Sequence, residues 1–426
     1  MAAPSADNFQ PATPGISNGM DEKIDNKSRT GFSVRLAGEP LAAFVAMLAV
    51  NSAYVLYKGV FLAPDSLHFY MKGTDRLVAA GFDFQQFLSS NPKFSQYIGF
   101  VTWCATLKFL VGEKWPVAVV IFNVLANATL VAVLIFHLKR VNVRWQIRAA
   151  TAAWCLFAFD LLVWSKGLLS DTTFLLLSTS AVAVWASRTT ANRRSLIFPS
   201  VLSVVALSWR PTGIALLLPL TVCGLLRFSP KLPKVNRWFT LAAVALAVEI
   251  VFLVFAYFMA NPERWPLSVG NSHIQYTAHY YDQGQVVWKR DGTYHARPES
   301  VLDYHLITLD RLRYWFACYE SEFSSVHKVY NVLFYGPLFA GAALSVLLWT
   351  RRRFRMNEDL DRLVTVLLVT ILSFSAMHAM LQVDYGWRYR VPIIPCLLML
   401  TAITANELMR GPQRTQLPVH DEAAVI

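Results

Sequence analysis

The sequence predicts an all-α polytopic membrane protein with about 10–11 transmembrane helices and an extracytoplasmic first loop carrying amphipathic helices. Composition is the first reason. The 426 residues are 55% hydrophobic and only 15% charged, whereas a soluble domain carries about 25% charge. Patterning is the second: mean hydropathy is +0.39, and the apolar residues fall in long blocks. Charge placement is the third. The formal net charge of +12 arises largely from basic residues in short loops between those blocks. There they act as orientation signals, helped by anionic lipid, and do not form a nucleic-acid surface. Cysteines 104, 155, 223, 318 and 396 show no paired spacing, so neither a disulfide framework nor a zinc site is implied.

Residues 1–35 are rich in Ala, Pro, Ser, Asn and Asp and contain no apolar run, which predicts a disordered cytoplasmic tail before an uncleaved first span. Apolar blocks follow near 41–62, 95–112, 116–138, 149–165, 169–187, 196–209, 212–227, 238–259, 330–350, 363–381 and 391–409. Loops 139–148, 188–194, 227–237 and 351–362 hold sixteen Lys and Arg, whereas the short loops between them hold only Lys166, Arg210, Arg388 and Arg390. The positive-inside rule makes the first set cytoplasmic. With the tail also inside, that assignment holds if 95–112, which contains Gln96 and Lys108, is interfacial or re-entrant. The alternative translocates a tail carrying Lys23, Lys27, Arg29 and Arg35.

In the first arrangement a membrane domain runs over 36–410, with a first external loop at 63–94 and a large external loop at 260–329. Residues 411–426 form a second cytoplasmic tail. The polar residues of the membrane region then gather on the non-cytoplasmic face. The blocks 196–209 and 212–227 are short and interrupted by Arg210-Pro211-Thr212-Gly213, which predicts a shallow hairpin or broken helix.

Four stretches on that face could carry chemistry. Asp65, behind Pro64 at the end of the first span, suits a general base. His68 and Tyr70 could bind substrate, and Tyr70 equally suits an interface anchor. Lys166 and Asp171 lie five residues apart between two apolar helices. They suit a phosphate-binding lysine and a second acidic site, or a salt bridge or helix cap. Arg210 at a helix break calls for an anion, unless it snorkels. In Arg388-Tyr389-Arg390, two guanidinium forks flank a stacking face, which suits a phosphate or a membrane-boundary anchor. The loop 260–329 is dense in aromatic residues and histidines, including Trp288, Tyr304 and His305. Its histidines lack the spacing of a helical metal site, so no metal site is assigned. Residues 310–323 predict an amphipathic interfacial helix.

Pro64-Asp65-Ser66 with Tyr70 resembles the first external loop of the GT-C glycosyltransferases. These are integral-membrane enzymes using polyprenyl-phosphate sugars and include protein O-mannosyltransferases and lipid A aminoarabinose transferases. Leu169-Ser170-Asp171-Thr172-Thr173-Phe174, Arg210-Pro211-Thr212-Gly213 and Arg388-Tyr389-Arg390-Val391-Pro392-Ile393-Ile394-Pro395 are similar to later landmarks of that class, in order. The resemblance covers about residues 40–410. It implies sugar transfer from a polyprenyl-phosphate donor to a hydroxyl of a glycan, lipid or protein on the non-cytoplasmic face, and a single displacement there would invert the anomeric centre. The lack of a signal and of eukaryotic targeting marks points to a bacterial inner membrane. Asp65 would match the catalytic position and Asp171 the second acidic position. Arg210, Arg388 and Arg390 would be candidate donor-phosphate contacts; the residue chemistry above, not the resemblance, adds Lys166 to the phosphate site and His68, Tyr70 and Tyr389 to the substrate site. Ser66 stands where many relatives carry a second acidic residue, so a divalent metal is left open as a cofactor without being indicated. The rival expectation is a transporter or flippase of lipid-linked saccharides, which broken helices and intramembrane arginines also suit.

Overall fold

The computed structural model describes residues 26–186, 197–228, 237–261, 264, 287–288, 300–319, 323–351, 358–380, 383–384 and 387–410. Among these the chain is helical, apart from turns, a bridge between Phe61 and Gly167, and one two-residue parallel pairing of Val287–Trp288 with Val383–Asp384. The helices are α1 (Asn26–Lys58), α2 (Lys72–Ala79), α3 (Phe84–Ser90), α4 (Ile98–Val111), α5 (Trp115–Arg140), α6 (Trp145–Leu156), α7 (Phe159–Ser165) and α8 (Asp171–Ala186). They continue with α9 (Ile197–Trp209), α10 (Leu217–Phe228), α11 (Arg237–Ala260), α12 (Val301–Phe316), α13 (Ser325–Thr350), α14 (Glu358–Met380) and α15 (Ile394–Met409). Each apolar block of the sequence therefore holds a helix. Helix α1 starts at Asn26, so residues 26–35 are helical where the composition predicts tail.

Not every apolar block yields a helix long enough to cross a bilayer. Among the described residues five stretches have the length and hydropathy for it: Gly38–Lys58, Pro92–Arg140, Ser325–Thr350, Leu360–Met380 and Tyr389–Met409. The pair α6 and α7, bent by 50°, would make a sixth. Blocks 169–187 and 196–209 yield helices of 16 and 13 residues, or about 24 and 20 Å at 1.5 Å per residue, short of a ~30 Å hydrocarbon core. The outward faces remain apolar: Val326, Val329, Val332 and Leu333 are all exposed on α13, as suits a lipid-facing helix.

Helices α1 and α5 pack antiparallel. At one end Arg148 grips Glu39 through Nε and Nη2 (2.6 and 2.7 Å), and Lys139 from the last turn of α5 lies 3.6 Å away. At the other end Phe61 and the start of α5 meet the residues around Gly167. The segment 59–114 thus leaves and rejoins the bundle at one end. The stretch Pro92–Arg140 is no single rod, because Gly112 at φ +61° ends α4 before α5 begins. Helix α4, at 14 residues, packs beside α2, and Lys108 of α4 pairs with Asp75 of α2 at 2.8 Å. A small core of Leu77, Phe87, Phe94, Val101 and Ala105 makes the first loop a folded cap.

At Arg210 the chain is extended, and Pro211–Leu216 forms a short 3-10 helix folded back on α9. Gly213 permits that approach: a Cβ there would come within 2.7 Å of Leu207 Cα. This is the break that Arg210-Pro211 predicts, since proline stops the preceding helix. Helix α12 begins at Val301, before the predicted 310–323. Ser300 and Asp303 form a reciprocal capping box at its start. Its buried residues Tyr304, Ile307, Thr308, Arg311 and Trp315 recur at helical spacing, so the helix is amphipathic as predicted.

Candidate active site

The site is built on residues 166–170, an irregular strip between α7 and α8. Buried backbone outside a helix must find partners, and here it does. Phe61 N–H donates to Lys166 O (3.1 Å), and Leu168 N–H donates to Phe61 O (3.1 Å). Asn123 of α5 donates from Nδ2 to both Gly167 O and Leu169 O (3.0 Å each) and accepts from Thr173 Oγ1 (2.8 Å). Ser165 Oγ reaches Asn51 Oδ1 at 2.6 Å. Asn123→Leu should leave two buried carbonyls without donors and cost about 2–4 kcal/mol. Thermal unfolding in detergent measures this, and an unchanged midpoint would contradict the clamp.

The first loop docks on this strip. Ser66, next to Asp65, donates from Oγ to Leu168 O (2.8 Å) and accepts from Ala63 N–H (3.0 Å). Asp65 itself is half-buried and precedes a π-helical turn, Ser66–Met71, without capping it through its side chain. His68 in that turn is exposed. Tyr70 is buried, packed edge-on against Tyr97 and Phe100, and shares a 3.0 Å hydrogen bond with Ser170 Oγ. It serves as a strut between the first loop and the residue before Asp171. Asp171 opens α8, where its charge favours the helix N-terminus. It forms an ion pair with Arg210; the two residues are 4% and 7% exposed. The anion that a buried Arg210 calls for is therefore a carboxylate of this chain.

A second cluster lies against the first. Arg390 is buried, donates from Nη1 to Ala317 O (2.8 Å), and lies 4.8 Å over the Tyr335 ring. Tyr335 Oη donates to Asp160 Oδ2, and Tyr330 Oη reaches the same oxygen at 3.4 Å. Tyr389 is half-buried, its ring centroid 5.2 Å from that of His378. Arg311 is fully buried and donates from Nη1 to Ala379 O (3.2 Å), while Tyr304 Oη donates to Met380 O (2.5 Å). The side chain of Arg388 lies outside the described residues, as do all the aromatic side chains of the large loop between 265 and 299. Trp288 nevertheless pairs through its backbone with Asp384, which brings that loop to the segment preceding Trp387–Ile393. Lys166 points its ammonium at the rings of Tyr54 and Phe61 (5.7 and 5.5 Å), a cation–π cradle.

The structure thus links the neighbourhood of Asp65 to Asp171 and Arg210 through Ser66, Tyr70 and Ser170. It sets Arg390 and Tyr389 nearby, on the last turn of α14 and on Asp160. Sequence reasoning missed Asn123, Asp160 and His378. A lone ionisable residue inside an apolar block was the available signal for Asp160. Among the described residues no group of three or more His, Cys, Asp or Glu could hold a metal.

A cavity of about 550 Å³ runs between α12, α13, α14 and α15. Its walls are almost wholly apolar, and it extends from Leu312, Phe316 and Phe339 down to Trp349 and Thr365. Phe316 and Phe339 touch (5.4 Å), and Phe339 stacks on Tyr335 (5.6 Å), the ring beneath Arg390. The upper end of the cavity therefore adjoins the arginine cluster. Comparison with protein families, curated proteins and solved structures finds no match to this chain.

Proposed function

We propose that the protein is an integral-membrane glycosyltransferase of the GT-C type, taking a sugar from a polyprenyl-phosphate donor to a hydroxyl acceptor. One observation supports this above the others: the buried Arg390 lies over Tyr335 at one end of an apolar cavity, while the first loop that carries Asp65 docks on the strip leading to the buried Asp171–Arg210 pair. That combination suits a substrate with a hydrocarbon tail and an anionic head. The tail would occupy the cavity bounded by Phe316, Phe339 and Trp349, and the phosphate would lie near Arg390 and the Asp171-paired Arg210. The acceptor hydroxyl oxygen bonds to the anomeric carbon as the carbon–oxygen bond to phosphate breaks. The bonding pair leaves on phosphate, and Asp65 takes the hydroxyl proton. Guanidinium groups stabilise the charge that develops on phosphate. A single displacement of this kind inverts the anomeric centre, unlike the two-carboxylate covalent route.

In this reading α1 leads outward, so Asp65, Asp171, Arg210 and Arg390 face the periplasmic side of a bacterial inner membrane. The Glu39–Arg148 end, with Lys139, Arg140 and Arg144, faces the cytoplasm. The test is reconstitution of the protein in nanodiscs with polyprenyl-phosphate hexose, pentose and aminosugar donors. Release of polyprenyl phosphate with an inverted glycosidic product supports the proposal. Folded protein that releases none from any of them overturns it.

A further inference from the structure

His378 belongs to the last turn of α14 and is 4% exposed. Its ring is held between Trp315 (4.7 Å, nearly parallel) and Tyr389 (5.2 Å). Arg311 and Tyr304 fix the same turn through the Ala379 and Met380 carbonyls. Yet, among the described residues, Nε2 is buried with no hydrogen-bond partner. Buried polar atoms are nearly always satisfied, and leaving one so in a rigid setting costs stability. The cavity indicates what would satisfy it. Its α14 wall climbs through Leu368, Ile371, Leu372 and Ser375, and the next position in that helical row is His378. On the facing wall Phe316 lines the cavity beside Trp315. The imidazole therefore lies one helical turn beyond Ser375, the last α14 residue that lines the cavity.

We propose that His378 contacts the ligand: Nε2–H donates a hydrogen bond to a phosphoryl oxygen of a lipid phosphate whose chain fills the cavity. The proposal rests on the lipid-phosphate reading of the preceding subsection and adds a residue that the sequence motifs do not contain. Two substitutions separate contact from packing. His378→Phe keeps an aromatic ring between Trp315 and Tyr389 but removes the donor atom. His378→Gln places an amide N–H near the position of Nε2.

The measurements are the thermal midpoint without ligand and the dissociation constant for undecaprenyl phosphate, with undecaprenol as the uncharged control. The wild type should bind the phosphate, and His378→Phe should bind it about tenfold or more weakly with an unchanged or raised midpoint. His378→Gln should recover most of that affinity, and undecaprenol should not distinguish the three proteins. Phosphate binding within twofold of wild type in His378→Phe would refute the contact. So would equal losses of midpoint and affinity in both variants, which mark a packing residue. A wild type that does not bind undecaprenyl phosphate would remove the lipid-phosphate reading itself, and this contact with it.

Discussion

Arg210→Met should cost about 3–5 kcal/mol of folding stability, because it strands a buried carboxylate without its counter-ion. Asp171 is 4% exposed and pairs with Arg210 inside the bundle. Asp171→Leu should cost a comparable amount by stranding the guanidinium. The double variant Asp171→Leu/Arg210→Met should recover much of the loss, since a buried pair replaced by apolar groups is often neutral. Denaturant or thermal unfolding of all four proteins in one detergent gives the coupling energy. Additive losses would show that each residue depends on other partners. Arg210→Lys keeps the charge but loses the planar fork, so it should retain more stability than Arg210→Met while failing to restore full transfer.

Asp65→Asn should lower sugar transfer by about 10²–10⁴-fold, the usual contribution of a positioned general base. At this half-buried position so conservative a change should cost about 1 kcal/mol or less of stability. Asp65 is half-buried and does not cap the turn that follows it. Ser66 on Leu168 O and Tyr70 on Ser170 hold the turn. Turnover with a lipid-linked sugar and the unfolding midpoint are measured on the same preparation. Unchanged turnover in folded protein would remove Asp65 from the chemistry. A collapsed midpoint would make it a structural residue.

Much of the helical framework is legible in the sequence, because a helix in an apolar medium needs little more than an apolar block and a stop. Arg210-Pro211 reads as a break for that reason, and it is one. The number of crossings is less legible: hydropathy marks a block as apolar without saying that its helix will reach across. Helices α8 and α9 are apolar and short. Pairings are the least legible. Asp171 and Arg210 lie 39 positions apart in the chain, and nothing local announces that each is the other's counter-ion. Asp160 stands alone in its apolar block, while its partners Tyr330 and Tyr335 are 170 and 175 residues away. Asn123 looks like an ordinary polar residue in an apolar helix until the strip 166–170 is laid against it.

That strip also sets an order in time. Ser66 waits for Leu168, 102 residues later, and Tyr70 waits for Ser170, 100 residues later. At 5–20 residues per second of synthesis, this is a delay of about 5–20 s. During it the first loop has left the ribosome and its partner does not yet exist. The small core of Leu77, Phe87, Phe94, Val101 and Ala105 can close on its own residues in that interval. The loop can thus be presented as a finished cap, and the strip from 166 to 170 becomes the surface on which it lands. Asp65 reaches its final setting only once α8 has emerged, so nascent chains stopped before Asp171 should hold a folded loop and no assembled site.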